Sequence, residues 1–130
     1  MPGRELEYQR TVNYMMQPDT VSSHRVIGVT EGQHALMVAD DLEAWHARED
    51  NVRYLGIEFC QPLLRDKYSD WQIEQGIAIC VEWCRKYGIK PSTATIRRHS
   101  DTEQGKRDGK SDPGSPFPYA DFMAKVALLL

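Results

Sequence analysis

One amphipathic segment with both ends marked constrains this fold more than any other feature. Ser69-Asp70-Trp71-Gln72 has the form of a capping box, with Ser69 as N-cap and Gln72 reaching back to it. Ile73, Ile77, Cys80, Val81 and Cys84 follow at helical spacing, so one face of the segment must be buried. Gly88, just after Tyr87, tolerates the left-handed backbone that ends a helix, and Pro91 prevents a restart.

The remaining segments give that helix its partners. Residues 4–16 carry Leu6, Val12, Met15 and Met16 on one helical face, and Pro18 stops them. His24 to Val29 and Gln33 to Val38 read as strands joined by a Glu31-Gly32 turn. Arg53 to Phe59 is a strong β run with Glu58 inside it. Thr93 to Ile96 reads as a further strand that ends near His99. The run from Asp101 to Gly109 has no apolar residue and reads as a solvated loop. A closing helix starts near Pro118. The order α-β-β-β-α-β-α predicts an α/β (α+β) fold, a central mixed β-sheet flanked by helices.

With 130 residues, the chain has length for a single domain over 1–130, with one core. A chain of that size buries roughly two thirds of its unfolded surface and needs no disulfide staples. Cys60, Cys80 and Cys84 therefore read as small core hydrophobes. A net charge of −3 argues against a broad nucleic-acid surface. No apolar run approaches a membrane span. Residues 1–5 lack the apolar region of a signal peptide, so cytoplasmic synthesis is the expectation.

The candidate chemistry lies between Arg98-His99-Ser100 and Asp112-Pro113-Gly114. A histidine at a strand end, an excursion and an Asp-Pro-Gly turn can bring imidazole and carboxylate together. Such ligands suit zinc. Lys110, close by in sequence, could steady an oxyanion.

Ser22-Ser23-His24, Glu31-Gly32-Gln33, Ala44-Trp45-His46-Ala47, Leu55-Gly56-Ile57-Glu58 and Lys110-Ser111-Asp112-Pro113-Gly114 occur in one order. In these blocks the chain resembles the type 2 family of N-acetylmuramoyl-L-alanine amidases, which includes phage endolysins and is related to peptidoglycan recognition proteins. The resemblance runs from about Leu6 to about Val126. It implies a zinc hydrolase that cuts the amide between N-acetylmuramic acid and the L-alanine of the stem peptide. Its implied partner is a bacterial muropeptide, with neither nucleic acid nor membrane involved, and its implied setting is phage-type release onto the cell wall. It makes His99 and Asp112 zinc ligands. It makes Lys110 the oxyanion partner and Glu58 the carboxylate that helps activate water. His24, Trp45 and His46 become substrate-groove residues.

One departure accompanies the match. The resemblance implies a first zinc histidine on an upstream strand, yet no histidine precedes His24. The strand is expected to be missing and the zinc site incomplete, because a catalytic zinc takes three protein ligands and an open position. A second expectation, from a different class, is a peptidoglycan-binding module that no longer cuts.

Overall fold

A computed structural model describes residues 2–17, 20–44, 54–61 and 67–130. The elements are helix α1 (Pro2–Met15), strands β1 (Arg25–Ile27), β2 (His34–Leu36) and β3 (Ile57–Phe59), helix α2 (Asp70–Tyr87), a 3-10 turn (His99–Asp101), and helices α3 (Glu103–Arg107) and α4 (Tyr119–Leu129). The strands form a mixed sheet in the order β2-β1-β3. β2 runs antiparallel to β1, and β3 runs parallel to it with Glu58 opposite Val26. The Glu31-Gly32 turn forms as expected. Gly32 takes φ +90°, and Gly28 N–H donates to the Gln33 carbonyl at 2.8 Å.

Helix α2 begins as its sequence requires. Ser69 Oγ accepts from Gln72 N–H at 3.2 Å, and Gln72 Oε1 accepts from Ser69 N–H at 3.0 Å. The same two side chains tie the helix to the sheet. Ser69 Oγ donates to the Val29 carbonyl at 2.6 Å, and Gln72 Nε2 donates to the Cys60 carbonyl at 2.8 Å. Gln72 is fully buried, so its Nε2 bond to the Cys60 carbonyl satisfies groups that water cannot reach. Gly88 ends the helix at φ 65°, with its N–H on the Cys84 carbonyl.

The core lies around α2. Ile27, Ile79 and Trp83 form one cluster, joined by Leu55, Ile57 and Phe59. Ile77, Cys80, Val81, Cys84, Tyr68, Phe117, Phe122 and Val126 form the other, and it brings in α4. Burying each large apolar side chain contributes about 1.5–3 kcal/mol, so these clusters rather than the short strands hold the sheet in place. All three cysteines are free and buried, as expected. Among the described residues no helix is long and apolar enough to cross a membrane.

Two expectations fail. Thr93 to Ile96 forms a turn, not a strand. Ser92 N–H donates to Thr95 Oγ1 at 2.9 Å, Thr95 Oγ1 donates to the Lys90 carbonyl at 2.6 Å, and Ile96 N–H returns to the Ser92 carbonyl at 2.9 Å. These local bonds offer the backbone an alternative to a sheet ladder. The polar run 101–109 is not a solvated loop either. Thr102 caps α3 by accepting from Gly105 N–H at 2.9 Å, and Thr102, Gln104 and Gly105 are buried.

Candidate active site

Glu58 owes its position to His24. The His24 ring is 1% exposed and uses both nitrogens on backbone. Nδ1 accepts from Gly56 N–H at 3.0 Å, so the ring proton sits on Nε2 and is donated to the Leu42 carbonyl at 2.7 Å. His24 N–H returns to the Gly56 carbonyl at 3.0 Å. Gly56 is thus held from both sides, and β3 leaves it with Glu58 two residues on. The Glu58 carboxyl is crowded by protein on most sides. Loss of water, and secondarily the charge of Asp112, push its pKa up from 4.5 to about 7, while His99 acts in the opposite direction.

His99 and Asp112 meet across the excursion. Their Nδ1 and Oδ2 atoms are 3.1 Å apart. Several contacts fix the two backbones. Ser100 N–H donates to the Asp112 carbonyl at 3.1 Å, and the Tyr68 hydroxyl donates to the Pro113 carbonyl at 2.7 Å. Arg98 forms a two-pronged bond to Asp101, at 2.7 and 3.1 Å, and stacks 4.4 Å over the Tyr119 ring. Gly105 approaches so closely that a Cβ there would stand 1.8 Å from the His99 carbonyl oxygen.

On its other side the His99 ring meets Gln104, with Nε2 2.7 Å from Oε1. The Gln104 amide nitrogen donates to Asp108 Oδ2 at 2.7 Å. Sequence reasoning missed Gln104, Tyr68, Arg98 and Tyr119. The sequence does carry a signal for the helix that holds Gln104, though not for its burial: Thr102 followed by Glu103, with Lys106 and Arg107 a turn later, is a short helix with cap and charges in the favoured order.

Glu58, His99 and Asp112 share one cavity of about 680 Å³, which His24, Trp83 and Tyr54 also line. Lys110 is exposed and is not among the lining residues. Trp45 and His46 lie outside the described residues.

Two donors of one tetrahedral zinc, each bound at about 2.0–2.2 Å, stand roughly 3.3 Å apart. The 3.1 Å between His99 Nδ1 and Asp112 Oδ2 fits two such corners. Among the described residues, no group of three or more His, Cys, Asp or Glu side chains is arranged to hold a metal.

A family model described as N-acetylmuramoyl-L-alanine amidase matches residues 3–115. This chain belongs to the N-acetylmuramoyl-L-alanine amidase family. Among its relatives is N-acetylmuramoyl-L-alanine amidase A of Achromobacter lyticus, 24% identical over 138 residues, a match spanning 94% of this chain and 78% of the relative. The amidase fold recurs in AmiD of E. coli, solved in complex with the substrate anhydro-N-acetylmuramic acid-L-Ala-D-γ-Glu-L-Lys. That match has a TM-score of 0.76 at 20% identity and covers 91% of this chain. AmpD, solved as a selenomethionine derivative, matches with a TM-score of 0.67 at 26% identity over 81% of this chain. The chain spans 52% of the AmiD chain and 59% of the AmpD chain, a little over half of each.

Proposed function

We propose that this chain hydrolyses the amide between the lactyl group of N-acetylmuramic acid and L-alanine in bacterial peptidoglycan fragments. The observation that carries the reading is Glu58, with a pKa raised to about 7, in one cavity with the His99–Asp112 pair. The family match and the muropeptide bound to AmiD support that class of substrate.

In this mechanism Glu58 does the proton work. As carboxylate it takes a proton from the attacking water. As acid it then gives that proton to the departing alanine nitrogen. A group that titrates near neutrality is matched to both steps. His99 and Asp112 are proposed to hold zinc, which would supply a Lewis acid for the amide carbonyl and the attacking water. Lys110 is proposed as the oxyanion partner. Its exposed ammonium would have to swing toward the cavity on its flexible stem. With both nitrogens of His24 committed to backbone, its share in the groove is shape. Trp45 and His46 are proposed groove residues on the resemblance alone.

Glu58→Gln keeps the shape and removes the base. It is expected to lower kcat on a muropeptide by roughly 100-fold or more. In the unaltered chain, kcat/KM should rise with pH as Glu58 loses its proton, below the metal-free value of about 7 once a cation sits beside Asp112, and the variant should lose that limb. An unchanged kcat would remove Glu58 from the mechanism.

The two-donor metal pair favours a second reading, a peptidoglycan-binding module without catalysis. That reading expects retained muropeptide binding, no cleavage, and no effect of Glu58→Gln on turnover.

A further inference from the structure

Two guanidinium groups line the cavity that holds Glu58 and Asp112, and only one of them is matched by a carboxylate. Arg98 commits its charge to Asp101, whose two carboxylate oxygens it holds at 2.7 and 3.1 Å. Among the described residues Arg97 meets only neutral oxygens, the Asp101 carbonyl and the Tyr54 hydroxyl, the latter at 3.0 Å. A guanidinium carries five N–H donors in a rigid fork. Two are used here, so three remain for a ligand, and the positive charge remains with them.

The backbone turns Arg97 the same way as His99. Arg98, between them, is extended at φ −74° and ψ 150°, and residues two apart in extended backbone project to the same side. Their Cα atoms then stand about 7 Å apart. Tyr54 braces the guanidinium from the segment that leads into β3, four residues before Glu58. Arg97 and Tyr54 are both half-buried, so an anion held there is partly shielded from water and salt.

We propose that Arg97, braced by the Tyr54 hydroxyl, is the subsite for a free carboxylate on the second residue of the stem peptide. The subsite rests on the amidase reading above, which puts L-alanine next to the cut bond. A glutamate joined to its successor through the γ-carboxyl leaves its α-carboxylate free, as in the peptide bound to AmiD. That carboxylate lies two residues beyond the cut amide, roughly 7 Å along an extended chain, which matches the step from His99 to Arg97. A carboxylate accepts two parallel N–H bonds from a guanidinium, whereas an α-amide offers one acceptor oxygen and no charge. The chain is therefore selective for stem peptides whose second residue is a free acid, against those in which it is amidated.

The test compares kcat/KM, with zinc present, for three muramoyl tripeptides. The parent is N-acetylmuramoyl-L-Ala-D-γ-Glu-L-Lys, the second has the glutamate α-carboxyl amidated, and the third has the terminal carboxyl amidated instead. In the unaltered chain the parent should exceed the α-amide by roughly 10- to 100-fold, the size of a hydrogen-bonded contact to a charged group. The terminal amide should behave as the parent. In Arg97→Met the ratio of parent to α-amide should fall toward one. Arg97→Lys keeps the charge and loses the fork, and its ratio should lie between. Tyr54→Phe removes the brace and should also lower the ratio.

An Arg97 with a merely structural role would slow both peptides alike in Arg97→Met and leave the ratio unchanged, and that result would overturn the subsite. So would equal kcat/KM for parent and α-amide in the unaltered chain, a comparison that needs no variant to fold. A loss confined to the terminal amide would overturn the assignment to the second residue. If no peptide is cut, the amidase reading fails, and calorimetric affinities for parent and α-amide still decide the subsite. A ratio that Arg97→Met abolishes supports it, and equal affinities in the unaltered chain overturn it.

Discussion

Nδ1 of His99 stands 3.1 Å from Oδ2 of Asp112, across a sequence separation of thirteen. That short distance rests on a tight backbone approach rather than on the two side chains themselves. Ser100 N–H reaches the Asp112 carbonyl, and α3 folds back until Gly105 presses on the His99 carbonyl oxygen.

Gly105→Ala should therefore damage the site although it lies outside it. Its Cβ would fall 1.8 Å from a backbone oxygen, which no rotamer change can relieve. Overpacking costs about 1–3 kcal/mol where side chains can adjust, and more is expected here. Urea unfolding should show a loss at or above that range, with the His99–Asp112 pair opened. A loss near zero would mean that this approach is not what holds the pair.

Glu58 gives stability a pH dependence of definite sign. Its folded pKa of about 7 lies above the ordinary 4.5, so the folded chain binds its proton more tightly. Below about 4.5 both states are protonated and the contribution is complete. Between about 4.5 and about 7 the unfolded state binds fewer protons, so stability falls as pH rises. The full loss is about 3 kcal/mol by linkage. Asp40 and Asp101, whose pKa values are lowered, change stability in the opposite sense at lower pH. The difference between chelator-treated native protein and Glu58→Gln isolates the Glu58 share. Parallel stability curves for the two across pH 4.5–7 would contradict the account.

Much of this was legible in the sequence, and the failures have separate causes. The Ser69–Gln72 box and Gly88 marked both ends of α2 because caps are local chemistry. His99 and Asp112 could be paired because the family resemblance implies that both are zinc ligands, while the excursion and the Asp-Pro-Gly turn by themselves only allowed them to meet. Thr93 to Ile96 misled because β-branched residues suggest a strand, while Ser92 and Thr95 satisfied the backbone locally. Gln104 was hidden because a polar residue in a polar run reads as surface. Its burial follows from tertiary packing of a five-residue helix, which periodicity cannot register. The His24 clamp on Gly56 joins residues 32 apart, beyond any local pattern.

Gly76→Ala weighs two effects of known size. Alanine is better than glycine inside a helix by about 1 kcal/mol. The new methyl would meet the Phe59 ring at 2.7 Å and the Phe122 ring at 3.0 Å, inside the core that joins β3, α2 and α4. Overpacking of that kind costs about 1–3 kcal/mol. Net destabilisation is expected, read as a lower Tm, with Glu58 displaced through its neighbour Phe59. A raised Tm would show slack in this part of the core.

The most direct test of the central claim is product analysis by mass spectrometry after incubation with a muramoyl tripeptide and zinc. One cut is expected, giving a saccharide that ends in a free lactyl carboxylate and a peptide that begins with L-alanine. The products should be absent with Glu58→Gln and with His99→Ala. An intact substrate, a cut at any other bond, or full activity in Glu58→Gln would contradict it.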